Sequence, residues 1–186
     1  MSKKAVIILA TGFEETEAVA TIDMLRRAGI DVTIAGLDDI KVCGSRNITV
    51  LADKKFNEIK PGDFDAVILP GGAAGAMHLA GSKKVSKFLN AMDSKGALIA
   101  AICAAPSVVL APLGILNNKT ATCFPGDQVD FDRTTRHKDV PVAEDGNIIT
   151  SQGPATAMEF AFKIIEKLIG RETEKKVRKA ALADRG

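Results

Sequence analysis

Apolar residues fall in short unbroken runs separated by amphipathic stretches, and that alternation predicts most of the elements. Residues 5–10 form a continuous apolar run expected to be a fully buried strand. Thr11-Gly12 make a loop, and a helix over 15–28 keeps Ala18, Ile22 and Leu25 on one face before Gly29 ends it. Residues 32–35 predict a second strand, while 41–52 predict shorter, partly exposed strands in a hairpin or side flap. Residues 66–69 form another buried strand ending in Pro70-Gly71-Gly72, followed by helical patterns up to Asp93. The run Ala97-Leu98-Ile99-Ala100-Ala101-Ile102 leads into Cys103, and a helix is expected through Val108, Val109 and Leu110. Residues 120–123 and 147–150 predict strands, with a weaker strand pattern at 140–142. A helix is expected from Pro154, suited to a first turn, to Gly170, suited to a stop. A charged helix over 172–182 carries Val177, Ala181 and Leu182 as a thin stripe, as a lid or flank does. Strand-helix alternation with continuous apolar strands predicts an α/β fold, a mostly parallel sheet covered by helices on both faces. No repeat or linker divides the chain, so residues 1–186 are expected to be one domain.

Charge narrows the partners. The 186 residues carry 25 basic and 23 acidic side chains, a net +2, with no Trp or Tyr. Neither a dominant basic field nor stacking aromatics beyond Phe are present, which argues against nucleic acid as a primary ligand. Lys3-Lys4 leads directly into a short strand rather than a signal core, so no membrane association and a cytoplasmic location are expected. Cys43, Cys103 and Cys123 stand at unrelated spacings that build neither a disulfide framework nor a zinc site, and no metal is expected. The glycosylation patterns at Asn47-Ile48-Thr49 and Asn118-Lys119-Thr120 are attributed to chance for want of a secretory route.

Cys103 is the residue to explain. Ala101 and Ala105, two positions either side, are the tiny neighbours that a strand-to-helix elbow needs around a nucleophile. A helix start favours thiolate over thiol, so Cys103 alone among the cysteines is expected to carry a strongly lowered pKa. A buried structural cysteine is the competing reading. In parallel sheets function gathers at the carboxyl ends of the strands. Two further loops stand there, the one carrying Glu14, Glu15 and Glu17 and the glycine run over 70–75. Glu14 and Glu15 have an ordinary role in complementing a helix dipole. Glu17, if turned inward, keeps its proton and hydrogen-bonds a thiolate. The glycine run is either a turn or a source of bare N–H groups that, with the amide of Ala104, form an oxyanion hole. It lacks the lysine and hydroxyl residue of a phosphate loop.

Taken together, Ile8-Leu9-Ala10-Thr11-Gly12-Phe13-Glu14-Glu15-Thr16-Glu17, Val67-Ile68-Leu69-Pro70-Gly71-Gly72, Ala100-Ala101-Ile102-Cys103-Ala104-Ala105-Pro106 and Thr150-Ser151-Gln152-Gly153-Pro154 resemble the ThiJ/PfpI superfamily, in the branch of the Parkinsonism-associated protein deglycase. The resemblance covers nearly the whole chain. It implies a flavodoxin-like sandwich, a homodimer and an oxidation-prone Cys103 that Glu17 hydrogen-bonds, with the Gly72 and Ala104 amides lining the pocket and Glu14, Cys123 and Pro154 around it. It further implies a cofactor-independent glyoxalase or deglycase using the Cys103 thiolate on methylglyoxal, glyoxal or their adducts. The alternative it carries is a redox-sensing, chaperone-like dimer.

Departures from the family pattern qualify these expectations. Ala104 stands where the protease-like branch has a histidine, which argues against proteolysis. Many relatives carry a pocket histidine just before the proline that Pro125 matches, yet this chain has Cys123-Phe124-Pro125. Gly44-Ser45-Arg46 replaces a frequent Cys-Ser-Arg, with the cysteine displaced to Cys43. His78 and His137 are expected at the surface. Met24, Arg26, Arg27 and the flap around Arg46 are expected to form the dimer patch.

Overall fold

A computed structural model describes residues 2–183. Apolar runs of four to six residues become strands buried on both faces, since alternate side chains of each point to opposite sides. The strands are β1 Lys4–Leu9, β2 Asp31–Gly36, β3 Lys41–Cys43, β4 Thr49–Leu51, β5 Lys54–Lys55, β6 Ala66–Leu69, β7 Leu98–Ile102, β8 Thr120–Ala121, β9 Arg136–His137, β10 Val142–Asp145 and β11 Ile148–Ser151. Seven of them form one sheet in the order β10-β11-β7-β6-β1-β2-β5. Only the β10–β11 pair is antiparallel in it.

The helices are α1 Glu15–Arg27, α2 Ala73–Gly81, α3 Lys83–Ser94, α4 Ala157–Ile169 and α5 Arg171–Ala180. Ala5, Ile7, Leu9, Ile68, Ala100 and Ile102 face one core with α1 and α4. Val6, Ile8, Val67, Leu69, Ile99 and Ala101 face the other with α2 and α3. This is the flavodoxin-like sandwich expected from the sequence. Helix α5 flanks α4, with Val177 buried in the core and the Arg178 guanidinium 4.2 Å over the Phe162 ring.

Several elements depart from the sequence reading. The strand expected over 120–123 shrinks to β8, which pairs with β9 in a separate ribbon. The helical stretch after the glycine loop divides at Ser82, whose hydroxyl accepts from the Val85 N–H and caps α3. The helix expected from Pro154 opens as a 3-10 turn, Pro154–Thr156, before α4. Beyond Cys103 the expected α-helix is a helical track whose residues Pro106–Leu110 take the wider π geometry and whose end, Ala111–Leu113, tightens to 3-10. Pro112 supplies the reason, since it offers no N–H to the preceding turn and its ring crowds that turn's carbonyl.

The expected dimer patch is also redrawn. Met24 is 5% exposed and packs in the core. Arg26 donates to the Val32 carbonyl and pairs with Asp53, and Arg27 pairs with Asp23. The exposed apolar side chains on α1 and around the flap are Val19, Ile40, Ile48 and Leu51.

Glu15 holds the flap to α1. Its carboxylate, 6% exposed, accepts from the Arg46 N–H at 2.6 Å, the Ser45 hydroxyl at 3.0 Å and the Ile48 N–H at 3.4 Å. Burial alone would raise its pKa, but these donors outweigh burial and hold it below the ordinary 4.5. Its contribution is therefore present above pH 4.5 and is lost as pH falls through the lower folded value. Glu15→Gln is expected to destabilise the protein by about 1–3 kcal/mol in denaturant melts at pH 7, with the difference shrinking on acidification. A constant difference from pH 7 to pH 3 would contradict this assignment.

Candidate active site

Cys103 directly follows β7 and turns the chain with φ at +64°, a left-handed conformation that costs a non-glycine residue about 1–3 kcal/mol. Backbone bonds on both sides hold it there. Its N–H donates to the Ser151 carbonyl at 3.0 Å, and its own carbonyl accepts from the Phe124 N–H at 2.9 Å. The residue as a whole is 9% exposed at the carboxyl end of the sheet.

The glycine loop closes over it. A Cβ at Gly71 would stand 2.4 Å from the Cys103 Cβ, 2.8 Å from the Glu17 Oε2 and 3.0 Å from the Cys103 Sγ. Gly72, with φ at +86°, would bring a Cβ to 2.3 Å from the Gly12 carbonyl oxygen. The backbone can pass this close only because both residues lack a side chain. The N–H groups of Gly72 and Ala104 lie close enough to the Cys103 sulfur to favour its ionised form. Gly71 itself donates its N–H to Glu17 Oε2 at 2.7 Å.

Glu17 is fully buried, turned inward from the first turn of α1. Its carboxyl faces the Cys103 thiol, and Oε1 has no hydrogen-bond partner among the described residues. Burial pushes its pKa up to about 7, against the opposing Gly71 N–H and with a small addition from the charge of Glu14. Cys103 does not carry the lowered pKa expected from the sequence. Burial, then the charge of Glu17, push the thiol up to about 12, while the Gly72 and Ala104 N–H groups pull the other way. Burial thus favours the protonated thiol, and the Glu17 carboxyl that could accept its proton lies alongside.

Other sequence candidates are placed as follows. Glu14 is the N-cap of α1, its Oε2 accepting from the Glu17 N–H at 2.7 Å, so it holds the turn that aims Glu17 inward. Cys123 is buried, and its thiol is pushed up to about 12 by burial and by Asp127 and Asp130. Pro154 is exposed at the opening of its 3-10 turn. His78 and His137 are both exposed, His78 bonding the Thr11 carbonyl at 2.8 Å. Among the described residues no group of three His, Cys, Asp or Glu side chains could hold a metal, and no helix is long and apolar enough to cross a membrane. Sequence reasoning missed Gly71 as the glycine nearest the thiol, and Phe124 as the half-exposed ring beside the elbow. The doubled glycine and the aromatic before Pro125 were their only signals.

Fold and site together define an α/β sandwich with a cysteine elbow, a buried carboxyl partner and two amides aimed at the sulfur. The chain belongs to the DJ-1/PfpI family, whose pattern matches residues 3–167. It is 44% identical over 184 residues to Protein dj-1beta of Drosophila melanogaster, covering 98% of each chain, and the crystal structure of that protein superposes with a TM-score of 0.93. It is 34% identical over 171 residues to the glutathione-independent glyoxalase DJR-1.2 of Caenorhabditis elegans, covering 91% of each. The oxidized DJ-1 of Toxoplasma gondii superposes with a TM-score of 0.94 at 37% identity, covering 97% of this chain and 98% of that one.

Proposed function

We propose that the chain is a single-domain, cofactor-independent enzyme that converts small 2-oxoaldehydes into 2-hydroxyacids, methylglyoxal into lactate, without glutathione. The observation that carries this reading is the buried Glu17 carboxyl, with a pKa near 7 and an unpartnered Oε1, facing the Cys103 thiol. A group titrating near the working pH populates both its proton-accepting and proton-donating forms, as a shuttle must. The relative named a glutathione-independent glyoxalase adds support.

In this mechanism Glu17 takes the Cys103 proton as the sulfur attacks the aldehyde carbon. The C=O π bond breaks, and the resulting alkoxide is held by the N–H groups of Gly72 and Ala104. Glu17 passes the proton it took from sulfur to that oxygen, giving a hemithioacetal and leaving the carboxylate free. Glu17, ionised again, removes the proton on the former aldehyde carbon, forming an enediolate, and returns it to the neighbouring carbon while the hydroxyl proton of the first carbon passes to the second oxygen. The product is a thioester of the hydroxyacid. Water adds to its carbonyl, the C–S bond breaks, and lactate and the free thiol are released. Adducts of the same dicarbonyls with amines or thiols enter this scheme as deglycase substrates. Purified protein with methylglyoxal and no glutathione is expected to form lactate; its absence overturns the reading.

A second reading has support in the same atoms. Peroxide can oxidise Cys103 to sulfenate and then sulfinate, releasing one water at each step. Glu17 and the two amides would hydrogen-bond the added oxygens, and the solved Toxoplasma relative is described as oxidized. A stress-sensing, chaperone-like role follows if turnover is absent. We also propose a homodimer through α1 and the flap, where Val19 lies one helical turn beyond Glu15, which the flap contacts, and Ile48 and Leu51 are exposed. Light scattering at micromolar concentration is expected to give twice the chain mass, and a monomeric mass removes this claim. The three cysteines are free thiols, which agrees with the cytoplasm.

A further inference from the structure

Phe124 is 46% exposed although its backbone is bonded to that of the buried Cys103. Two contacts fix its place. Its N–H is bonded to the Cys103 carbonyl, and its ring lies against Gly153, where a Cβ would stand 3.7 Å from Cδ2. Gly153 follows within two residues of Ser151, whose carbonyl accepts the Cys103 N–H. The ring is therefore tethered at the same end of the sheet as the sulfur, with apolar surface facing solvent and no polar atom to donate or accept.

We infer that Phe124 is a specificity-determining residue, favouring 2-oxoaldehydes with an apolar substituent, methyl or phenyl, over unsubstituted glyoxal. This rests on the proposed function. Once the aldehyde carbon is bonded to Cys103, the carbon next to it projects its substituent away from the sulfur and the two amides. A substituent lying on the ring removes apolar surface of both from water, and a phenyl group adds the offset stacking of two rings. Glyoxal has only hydrogen there and gains nothing. Phe124 also supplies no proton, so it acts on selectivity and leaves the proton steps to Glu17.

The test compares kcat/KM for phenylglyoxal, methylglyoxal and glyoxal in the native chain, Phe124→Ala and Phe124→Leu. In Phe124→Ala the phenylglyoxal-to-glyoxal ratio is expected to fall roughly 10-fold, within the range that a hydrophobic contact discriminates, while Phe124→Leu keeps most of it. A ratio unchanged in Phe124→Ala, or equal losses for all three substrates, overturns the inference. A second measurement does not depend on turnover: the rates at which Cys103 displaces iodide from iodoacetamide and from N-benzyl iodoacetamide, followed by peptide mass spectrometry. The benzyl-to-plain ratio should drop in Phe124→Ala, and a constant ratio counts against the inference. Should no variant consume any dicarbonyl, the enzymatic reading fails on its own, and the alkylation ratio still decides whether Phe124 selects apolar groups at Cys103.

Discussion

Glu17→Gln is expected to lower lactate formation from methylglyoxal by roughly 10²–10⁴-fold, the loss typical when a positioned acid–base group is removed. The amide keeps the size of the carboxyl and can still accept the Gly71 N–H, so the pocket is preserved while proton exchange is abolished. Cys103 should remain open to alkylation. In the native protein the ionised carboxyl is the acceptor for the thiol proton, so kcat/KM should rise with pH through about 7, a limb that Glu17→Gln should lack. Undiminished lactate formation would sink the catalytic role. If the protein is chiefly a sensor, the same substitution instead changes how far Cys103 oxidises, read as two added oxygens by mass spectrometry.

Stability should move the other way. A buried carboxyl whose folded pKa lies near 7, against an ordinary 4.5, favours its protonated form in the folded state. Folding is therefore most favoured below pH 4.5 as far as this group is concerned, and that advantage is lost as pH rises through about 7. The shift corresponds to about 3 kcal/mol at pH 8, so Glu17→Gln is expected to be the more stable protein there and to lose its lead near pH 4. Opposite changes in turnover and stability are the signature of a residue kept for chemistry.

The strands and both core faces were legible because parallel strands covered on two sides carry uninterrupted apolar runs, as over 5–10, 66–69 and 98–102. Residues 120–123 misled for the converse reason: β8 finds its partner at Arg136–His137, in a polar segment with no periodic signal of its own. The regular α-helix expected beyond Cys103 was not legible as a π and 3-10 track, because propensity and pattern do not register what Pro112 does to the turn before it. The pKa expected of Cys103 failed because burial of a thiol is a property of three loops assembled, and none of them shows it alone. Glu15 reads in sequence as a helix-dipole residue because its partners lie about thirty positions away in the flap. Glu17 could be singled out, but only conditionally on its turning inward, which Glu14 settles by capping the helix through the Glu17 N–H.

Gly71→Ala carries the other large effect, and it separates space from conformation. The φ of Gly71 lies outside the left-handed range, so alanine meets no backbone objection there; Gly72, at +86°, does. What the methyl group meets is the site itself, the Cys103 Cβ at 2.4 Å, with the Glu17 Oε2 and the Cys103 Sγ at 2.8 and 3.0 Å. Because Cys103 is pinned by the Ser151 and Phe124 bonds, the loop or the thiol must shift by a substantial part of an ångström. A displacement of that order costs about 10²-fold in rate even when every catalytic group is retained. Lactate formation should therefore fall at least about 10²-fold, with a stability loss of about 1–3 kcal/mol from overpacking. Gly62→Ala, which meets nothing within 4 Å, serves as the control and should leave turnover within about 2-fold. Parallel measurement of Cys103 alkylation tells the two routes apart: a methyl group that merely loosens the fold speeds labelling, whereas one wedged between the thiol and Glu17 slows it. Full activity in Gly71→Ala would mean that the glycine loop does not hold the geometry on which the Cys103–Glu17 pair depends.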